Sequence, residues 1–328
     1  MKTILNTLFE HKTLSQEQAK EVLLNIAAEK YNTSQVAAFM SVYLMRSITV
    51  QELSGFREAM LDLCHKIEFQ DQNTIDIVGT GGDGKDTFNI STLACFVTAG
   101  AGVKVTKHGN YGVSSVSGSS NVLEAIGYKF INDKAVLQKQ LDEAGVCFLH
   151  APLFHPAMKS IAPIRKDLGV RTFFNLLGPV VNPSFPNNQL LGVYNLEMAR
   201  LYNYLLQGTD VNYAIVHSLD GYDEVSLTSD FKLITRTSEK ILRPADIGFA
   251  AIEQQELSGG STVKEAAELF VNILNGKGTT PQNNAVCANA GIAINCLHPD
   301  RSLQDCIESA KESLISKKAL TVYKKIIS

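Results

Sequence analysis

At 328 residues, with 45% hydrophobic and 19% charged side chains, the chain is neither a disordered tail nor one ordinary core, so a large domain plus a smaller one is expected. Thirty Lys and Arg against 33 Asp and Glu leave a net charge of −3, which argues against a general nucleic-acid binder but allows a local basic pocket for a phosphorylated ligand. No run nears the roughly 20 apolar residues of a membrane helix, and residues 1–16 lack a signal-peptide pattern, so a cytoplasmic location is expected.

Residues 1–70 read as helix only. Ser15 and Gln18 form a capping box ahead of Ala19, Val22, Leu23 and Ile26; Val36, Phe39, Met40 and Tyr43 repeat the spacing. Thr49 and Glu52 form a second box ahead of Leu53, Phe56 and Met60. Three short amphipathic helices bury little alone and must pack on the rest of the chain or on a second subunit.

The pattern changes at Thr74. Strand-like runs at 74–78, 103–106, 146–149, 190–194 and 213–216 alternate with helical stretches at 90–99, 121–126, 134–144 and 196–207. This alternation predicts a mainly parallel sheet with helices on its faces. From Pro152 to Pro186 six prolines interrupt helical pieces with no strand candidate among them. The expected fold is therefore α/β, with a small all-helical N-terminal domain (1–70) completed by a helical insertion at about 155–186. Residues 71–154 and 187–328 form the larger α/β domain, ending in amphipathic helices such as 263–274 and 303–315. The six cysteines lie far apart with no C-x-x-C pair and read as buried free thiols.

The first strand ends in Gly79-Thr80-Gly81-Gly82-Asp83-Gly84, which fits a dinucleotide loop and most of a Walker A loop by letter. Chemistry rejects both. Lys107 stands where a dinucleotide fold needs an acid for the ribose, and Asp86 stands where Walker A needs a hydroxyl for magnesium. What survives is a glycine-dense turn whose N–H groups can approach an anion, beside an Asp83 that would repel bare pyrophosphate unless a cation lay between them.

Asn89-Ile90-Ser91-Thr92 opens a helix with donors suited to phosphate, although Ser and Asn are equally ordinary caps. Lys107-His108-Gly109-Asn110 follows the second strand and leads into a serine-glycine run at 114–120. Two donor-rich loops at the ends of neighbouring parallel strands converge at the carboxyl edge of the sheet, where open α/β folds bind ligands. The strand at 213–216 leads to Asp223-Glu224, a pair that suits Mg2+ bridged to a polyphosphate and that also occurs in plain solvated turns.

In order and at this spacing, the set resembles anthranilate phosphoribosyltransferase. The resemblance runs through Gly79–Asp83, Thr87–Thr92, Lys107–Asn110, Gly118-Ser119, His155-Pro156-Ala157-Met158, Arg165 with 168–172, Phe174-Asn175, Gly178-Pro179, Asn182-Pro183 and Asp223-Glu224. It implies a fold of nucleoside phosphorylase/phosphoribosyltransferase type, with hinged domains and a homodimer formed through the helical domain. It also implies transfer of the phosphoribosyl group of 5-phosphoribosyl 1-pyrophosphate to the amine of anthranilate, in tryptophan biosynthesis. By the same resemblance Gly79, Gly82, Asp83, Thr87, Asn89, Ile90, Ser91, Thr92, Lys107, Ser115 and Ser119 hold the phosphoribosyl pyrophosphate. Ser91, Asp223 and Glu224 coordinate Mg2+, two ions per subunit. Gly79, His108, Asn110, His155 and Arg165 line the anthranilate path, and Arg165 can meet the aromatic acid's carboxylate in a planar fork.

The implied chemistry is displacement at the anomeric carbon through a cation-like sugar. Anthranilate's amine is uncharged at neutral pH, so no catalytic acid, base or nucleophile is expected. Positioning and the electrostatics of pyrophosphate departure supply the rate, and His108 and His155 serve packing or hydrogen bonding. Two positions depart from the family pattern: Tyr111 replaces an Arg and Asn121 an Asp. The first could weaken phosphate or ring positioning and the second could alter a loop anchor. A pyrimidine nucleoside phosphorylase would not need the Asp223-Glu224 pair, and a non-catalytic nucleic-acid-binding relative should carry an extended basic groove.

Overall fold

The computed structural model describes residues 1–70, 73–112 and 116–328. It divides into two compact units, Met1–Ile67 with Ala151–Pro183, and Glu68–His150 with Ser184–Ser328. The first is all helical. The two capping boxes foreseen at Ser15/Gln18 and Thr49/Glu52 are formed, and a third at Asn32/Gln35 starts the helix Thr33–Met45. An additional short helix, Lys2–Phe9, precedes them without a side-chain cap, which is why no start signal marks it in the sequence. The helices Gln16–Ala27 and Val50–Leu63 approach so closely that a Cβ on Gly55 would lie 2.2 Å from the Gln16 carbonyl oxygen.

The insertion belongs to this unit through its aromatics. Phe173 stacks on Phe56 at 4.5 Å and meets Phe39 and Tyr43 edge-on at 6.0 and 5.0 Å. Such pairs contribute about 0.5–1.5 kcal/mol each beyond their buried area. The unit also carries a buried ion-pair hub. Glu52 takes Arg46 in a fork at 2.9 and 2.5 Å, the Leu14 and Thr49 N–H groups at 3.0 Å each, and the Tyr43 hydroxyl at 3.3 Å. Burial by itself pushes the Glu52 carboxyl up; the Arg46 guanidinium and the two N–H groups outweigh it and hold the group below the ordinary glutamate range. Glu52→Gln should therefore cost about 3 kcal/mol in urea unfolding at pH 7, because it leaves a half-buried guanidinium without its counter-charge. A lowered folded pKa stabilises above the unfolded value and stops doing so as pH falls through the folded one, so the difference between the two proteins should close in acid. Equal urea midpoints at pH 7 would contradict this role.

The second unit is built on seven strands: β1 (Ile75–Gly79), β2 (Val105–Gly109), β3 (Val146–His150), β4 (Asn188–Gly192), β5 (Asn212–Ser218), β6 (Phe231–Thr235) and β7 (Glu239–Leu242). They lie in the order β3-β2-β1-β4-β5-β6-β7, the first five pairing in parallel, with β6 antiparallel to β5 and β7 antiparallel to β6. The order reverses direction between β1 and β4, so the carboxyl ends of β1, β2 and β4 flank the crevice where open α/β sheets bind ligands. The helix Ile90–Gly100 and the stretch Ala285–Ile294 of the helix Thr280–Leu297 pack buried on the sheet, which explains their near-continuous apolar sequences.

The second strand differs from expectation. Residues 103 and 104 finish a turn through Gly102 (φ +93°), with the Val103 N–H spent on the Thr98 carbonyl. Pairing with β3 starts only at Val105 and continues to Gly109, so Lys107 and His108 are strand residues, not loop residues. The β6–β7 hairpin went unread because its run carries Lys232, Arg236 and Lys240 at a sheet edge. All six cysteines are free thiols. Among the described residues no helix is long and apolar enough to cross a membrane.

Candidate active site

β1 and β4 each end in glycine, and Gly79 pairs with Gly192. Asp223 lies against both: a Cβ on Gly79 would fall 2.4 Å from its Oδ2, and one on Gly192 would fall 1.6 Å from its backbone oxygen. The sheet edge is thus pared to bare backbone where the acidic loop crosses it. Beyond Gly79 the chain turns through Gly81, Gly82 and Gly84, all at positive φ, and the Gly81 N–H donates to Asp223 Oδ2 at 2.6 Å. Asp83 follows, with one oxygen accepting the Lys85 N–H at 3.1 Å. The loop then docks where Thr87 bridges to Ser258 and the Phe88 N–H reaches the Leu257 carbonyl at 3.0 Å.

This turn carries Asp83 to the expected pair. Asp83, Asp223 and Glu224 offer oxygens that all lie within 4.8 Å of one another. Burial raises all three carboxyls: Asp83 goes up, Asp223, repelled also by the charge of Asp83, is pushed to about 6, and Glu224, repelled by both aspartates, goes well above the glutamate range. Asp83 Oδ2 and Glu224 Oε2 are buried with no hydrogen-bond partner among the described residues. Three crowded acids with orphaned oxygens and few donors are a poor resting arrangement and a good oxygen cage for a hard divalent cation. Ser91, which the sequence reading joined to the pair, sits in the first turn of the helix Ile90–Gly100, where its backbone N–H favours the charged form of Glu224.

Lys107 is buried in β2, and its ammonium donates to the Ile77 carbonyl of β1 while its charge acts on Glu224. His108 is buried beside it and donates its backbone N–H to Asp76 Oδ1 at 3.2 Å. The following loop is tied across to the first one: the Asn89 amide donates to the Ser117 carbonyl at 2.9 Å. Ser119 Oγ donates to the Asn110 carbonyl at 3.2 Å and closes on Gly109, whose Cβ would meet it at 2.5 Å. Ser115 lies outside the described residues.

The two departures acquire physical meaning here. Asn121 Oδ1 accepts the N–H groups of Gly112 and Gly118 at 2.9 and 3.0 Å, so an amide oxygen anchors the loop as a carboxylate would. The Tyr111 hydroxyl donates to Glu124 at 2.9 Å, and its ring stands edge-on to His150 at 4.7 Å.

In the helical unit, Arg165 donates through Nη2 to Asn175 Oδ1 at 3.1 Å and lies 5.6 Å from the Phe174 ring centre. No carboxylate among the described residues pairs with it. Asn175 Oδ1 also accepts the Thr172 N–H at 3.2 Å, which stiffens the arginine's support. His155 is buried with Nε2 on the Val181 carbonyl at 3.0 Å, and burial lowers it to about 4, so its ring is neutral at pH 7.

Two features escaped the sequence reading. Gly192, the partner of Gly79, lies in a strand with no loop motif around it. Asn289 is a lone amide among Ala285–Ile294, and a polar residue in so apolar a helical run was the available signal.

Comparison with known proteins agrees along the whole chain. Residues 2–64 match the helical bundle domain of a glycosyl transferase family, and 71–320 match its a/b domain. A relative from Flavobacterium psychrophilum named anthranilate phosphoribosyltransferase is 61% identical over 99% of this chain and 98% of its own. The anthranilate phosphoribosyltransferase of Thermus thermophilus superposes with a TM-score of 0.92 at 32% identity, covering 98% of both chains. The Saccharomyces cerevisiae enzyme in complex with PRPP and Mg gives 0.91 at 27% identity over 98% of this chain and 95% of its own.

Proposed function

The chain belongs to the anthranilate phosphoribosyltransferase family, and from that premise we propose how its own residues carry the reaction. It transfers the phosphoribosyl group of 5-phosphoribosyl 1-pyrophosphate to the amine of anthranilate, giving N-(5-phosphoribosyl)anthranilate and pyrophosphate. The observation that carries the reading is the crowding of Asp83, Asp223 and Glu224 beneath a glycine turn, with unpartnered oxygens facing one another and Lys107 close by.

Asp83, Asp223 and Glu224 hold Mg2+ here, two ions per subunit, with Ser91 completing the set. Bound there, Mg2+ supplies positive charge to the departing pyrophosphate. The backbone N–H groups of the 79–84 turn, together with Thr87, Asn89, Ser91, Thr92, Lys107, Ser115 and Ser119, hold the donor's phosphates and ribose. Arg165 takes the anthranilate carboxylate, and Asn110 and Gly79 line the path of its ring. The amine attacks without a base because it is uncharged at neutral pH, and the buried, neutral His155 keeps the helical framework in place. The chain works as a homodimer: Phe9, Leu44 and Met45 expose 60%, 47% and 87% of their surface on the helical unit, where a second copy would cover them.

The test is direct. Purified protein with Mg2+ should consume anthranilate, followed by its fluorescence, and release an equivalent of pyrophosphate; absence of turnover at millimolar Mg2+ would overturn the reading. Arg165→Ala should raise the anthranilate KM roughly 30- to 100-fold, since a charge-assisted hydrogen bond contributes about 2–3 kcal/mol. The KM for phosphoribosyl pyrophosphate should stay within about twofold, and equal damage to both would misplace the acceptor site.

A further inference from the structure

We propose that Asn289 and Ser218 are positioning residues that fix the Asp223-Glu224 segment in a cation-binding shape, an inference that rests on the reading above. Asn289 is buried in the helix Thr280–Leu297, where an amide without hydrogen-bond partners would be costly. Its side chain is fully committed. Oδ1 accepts the Val225 N–H at 3.1 Å, while Nδ2 donates to the Val225 carbonyl at 2.9 Å and to the Ala285 carbonyl of its own helix at 2.8 Å. An asparagine that brackets both backbone groups of one residue acts as a short piece of strand, and the residue it brackets directly follows Glu224.

Ser218, the last residue of β5, holds the other side. Its hydroxyl donates to the Glu224 carbonyl at 2.7 Å and accepts the Ser226 N–H at 3.1 Å. The peptide groups from Glu224 to Ser226 are therefore pinned by two side chains rooted in a buried helix and a central strand. The pinned segment needs such roots, because it belongs to no strand or helix, carries Glu224 and directly follows Asp223, two of the three clustered acids. Without them the carboxylates could relax apart and the cation would have to pull them back together. Partners that orient metal ligands in this way typically change metal affinity 10- to 100-fold when removed.

The experiment measures metal binding apart from turnover. Free Mn2+ is followed by its electron paramagnetic resonance signal as the full-length protein is titrated in the presence of phosphoribosyl pyrophosphate. Asn289→Ala and Ser218→Ala should each weaken Mn2+ binding about tenfold or more, while the anthranilate KM at saturating Mg2+ stays within twofold. A folded variant of either residue, verified by circular dichroism, that binds Mn2+ as tightly as the parent would overturn the proposal. If Asn289→Ala fails to fold, Ser218→Ala decides alone. Failure of the parent protein to take up Mn2+ with the donor present would instead sink the functional reading, and this inference with it.

Discussion

Gly192→Ala is expected to reduce kcat by about three orders of magnitude while leaving a folded protein. The added methyl would sit 1.6 Å from the Asp223 backbone oxygen and 2.8 Å from its carbonyl carbon, a collision with main chain that no side-chain rotation can relieve. Asp223 and the peptide that carries it must then move by well over 1 Å. Misplacement of about 1 Å already costs on the order of 100-fold at a reacting centre. Stability should suffer less, by about 1–3 kcal/mol, as for other overpacked sites. Gly192 does not have the positive φ that would make glycine obligatory for backbone reasons, so the effect is purely steric. Gly208→Ala, whose nearest atom lies 3.5 Å away, serves as the control and should leave turnover unchanged. Steady-state kinetics beside a thermal melt separates the two effects, and near-normal turnover for Gly192→Ala would mean that the acidic loop is not seated on the sheet edge.

How much of this was legible in the sequence depends on the range of the interaction. Capping boxes, the 3.6-residue spacing of the first helices and the helices Lys134–Ala144, Leu196–Gln207, Val263–Leu274 and Leu303–Ile315 are local features, and their bounds could be read directly. The start of β2 could not, because the N–H of Val103 goes to the preceding helix, and only three-dimensional pairing with Gly145 and β3 decides where the strand begins. The β6–β7 hairpin failed for a related reason: charges that protect a sheet edge erase the alternation by which strands are recognised.

The site shows the same division. The glycine turn, Lys107 and the Asp223-Glu224 pair carry residue types that suggest a phosphate and cation site even in one dimension. The sequence places Asp83 among the residues that hold the donor and calls for a cation between it and pyrophosphate, but its approach to within 4.8 Å of the acidic pair depends on the positive-φ glycines of the turn. Gly192, Ser218 and Asn289 are ordinary letters in ordinary elements. Their meaning comes only from what lies opposite them, which sequence spacing does not encode.

Asp223→Asn is expected to abolish most turnover and, in the absence of divalent metal, to make the protein more stable at pH 7.5. Burial first, and the charge of Asp83 second, raise the Asp223 carboxyl to about 6, above the ordinary aspartate value it regains on unfolding. The native state therefore binds more protons than the unfolded chain between about pH 4 and pH 6, and native stability falls as pH rises through that window. Above it the full cost of a buried, repelled charge is present. Asparagine keeps an oxygen for the Gly81 N–H but carries no charge, so it should recover on the order of 2 kcal/mol at pH 7.5 in EDTA, with no difference near pH 4. Added Mg2+ should reverse the order, because a ligand that binds only the native state stabilises it and the parent retains all three acids. The loss of activity should reach roughly 1,000-fold, the scale of several kcal/mol of leaving-group stabilisation. Thermal melts at the two pH values, with and without Mg2+, check each step. Equal melting temperatures for parent and variant at pH 7.5 in EDTA would show that neither burial nor the charge of Asp83 strains the Asp223 carboxylate, and that the cation meets a relaxed site.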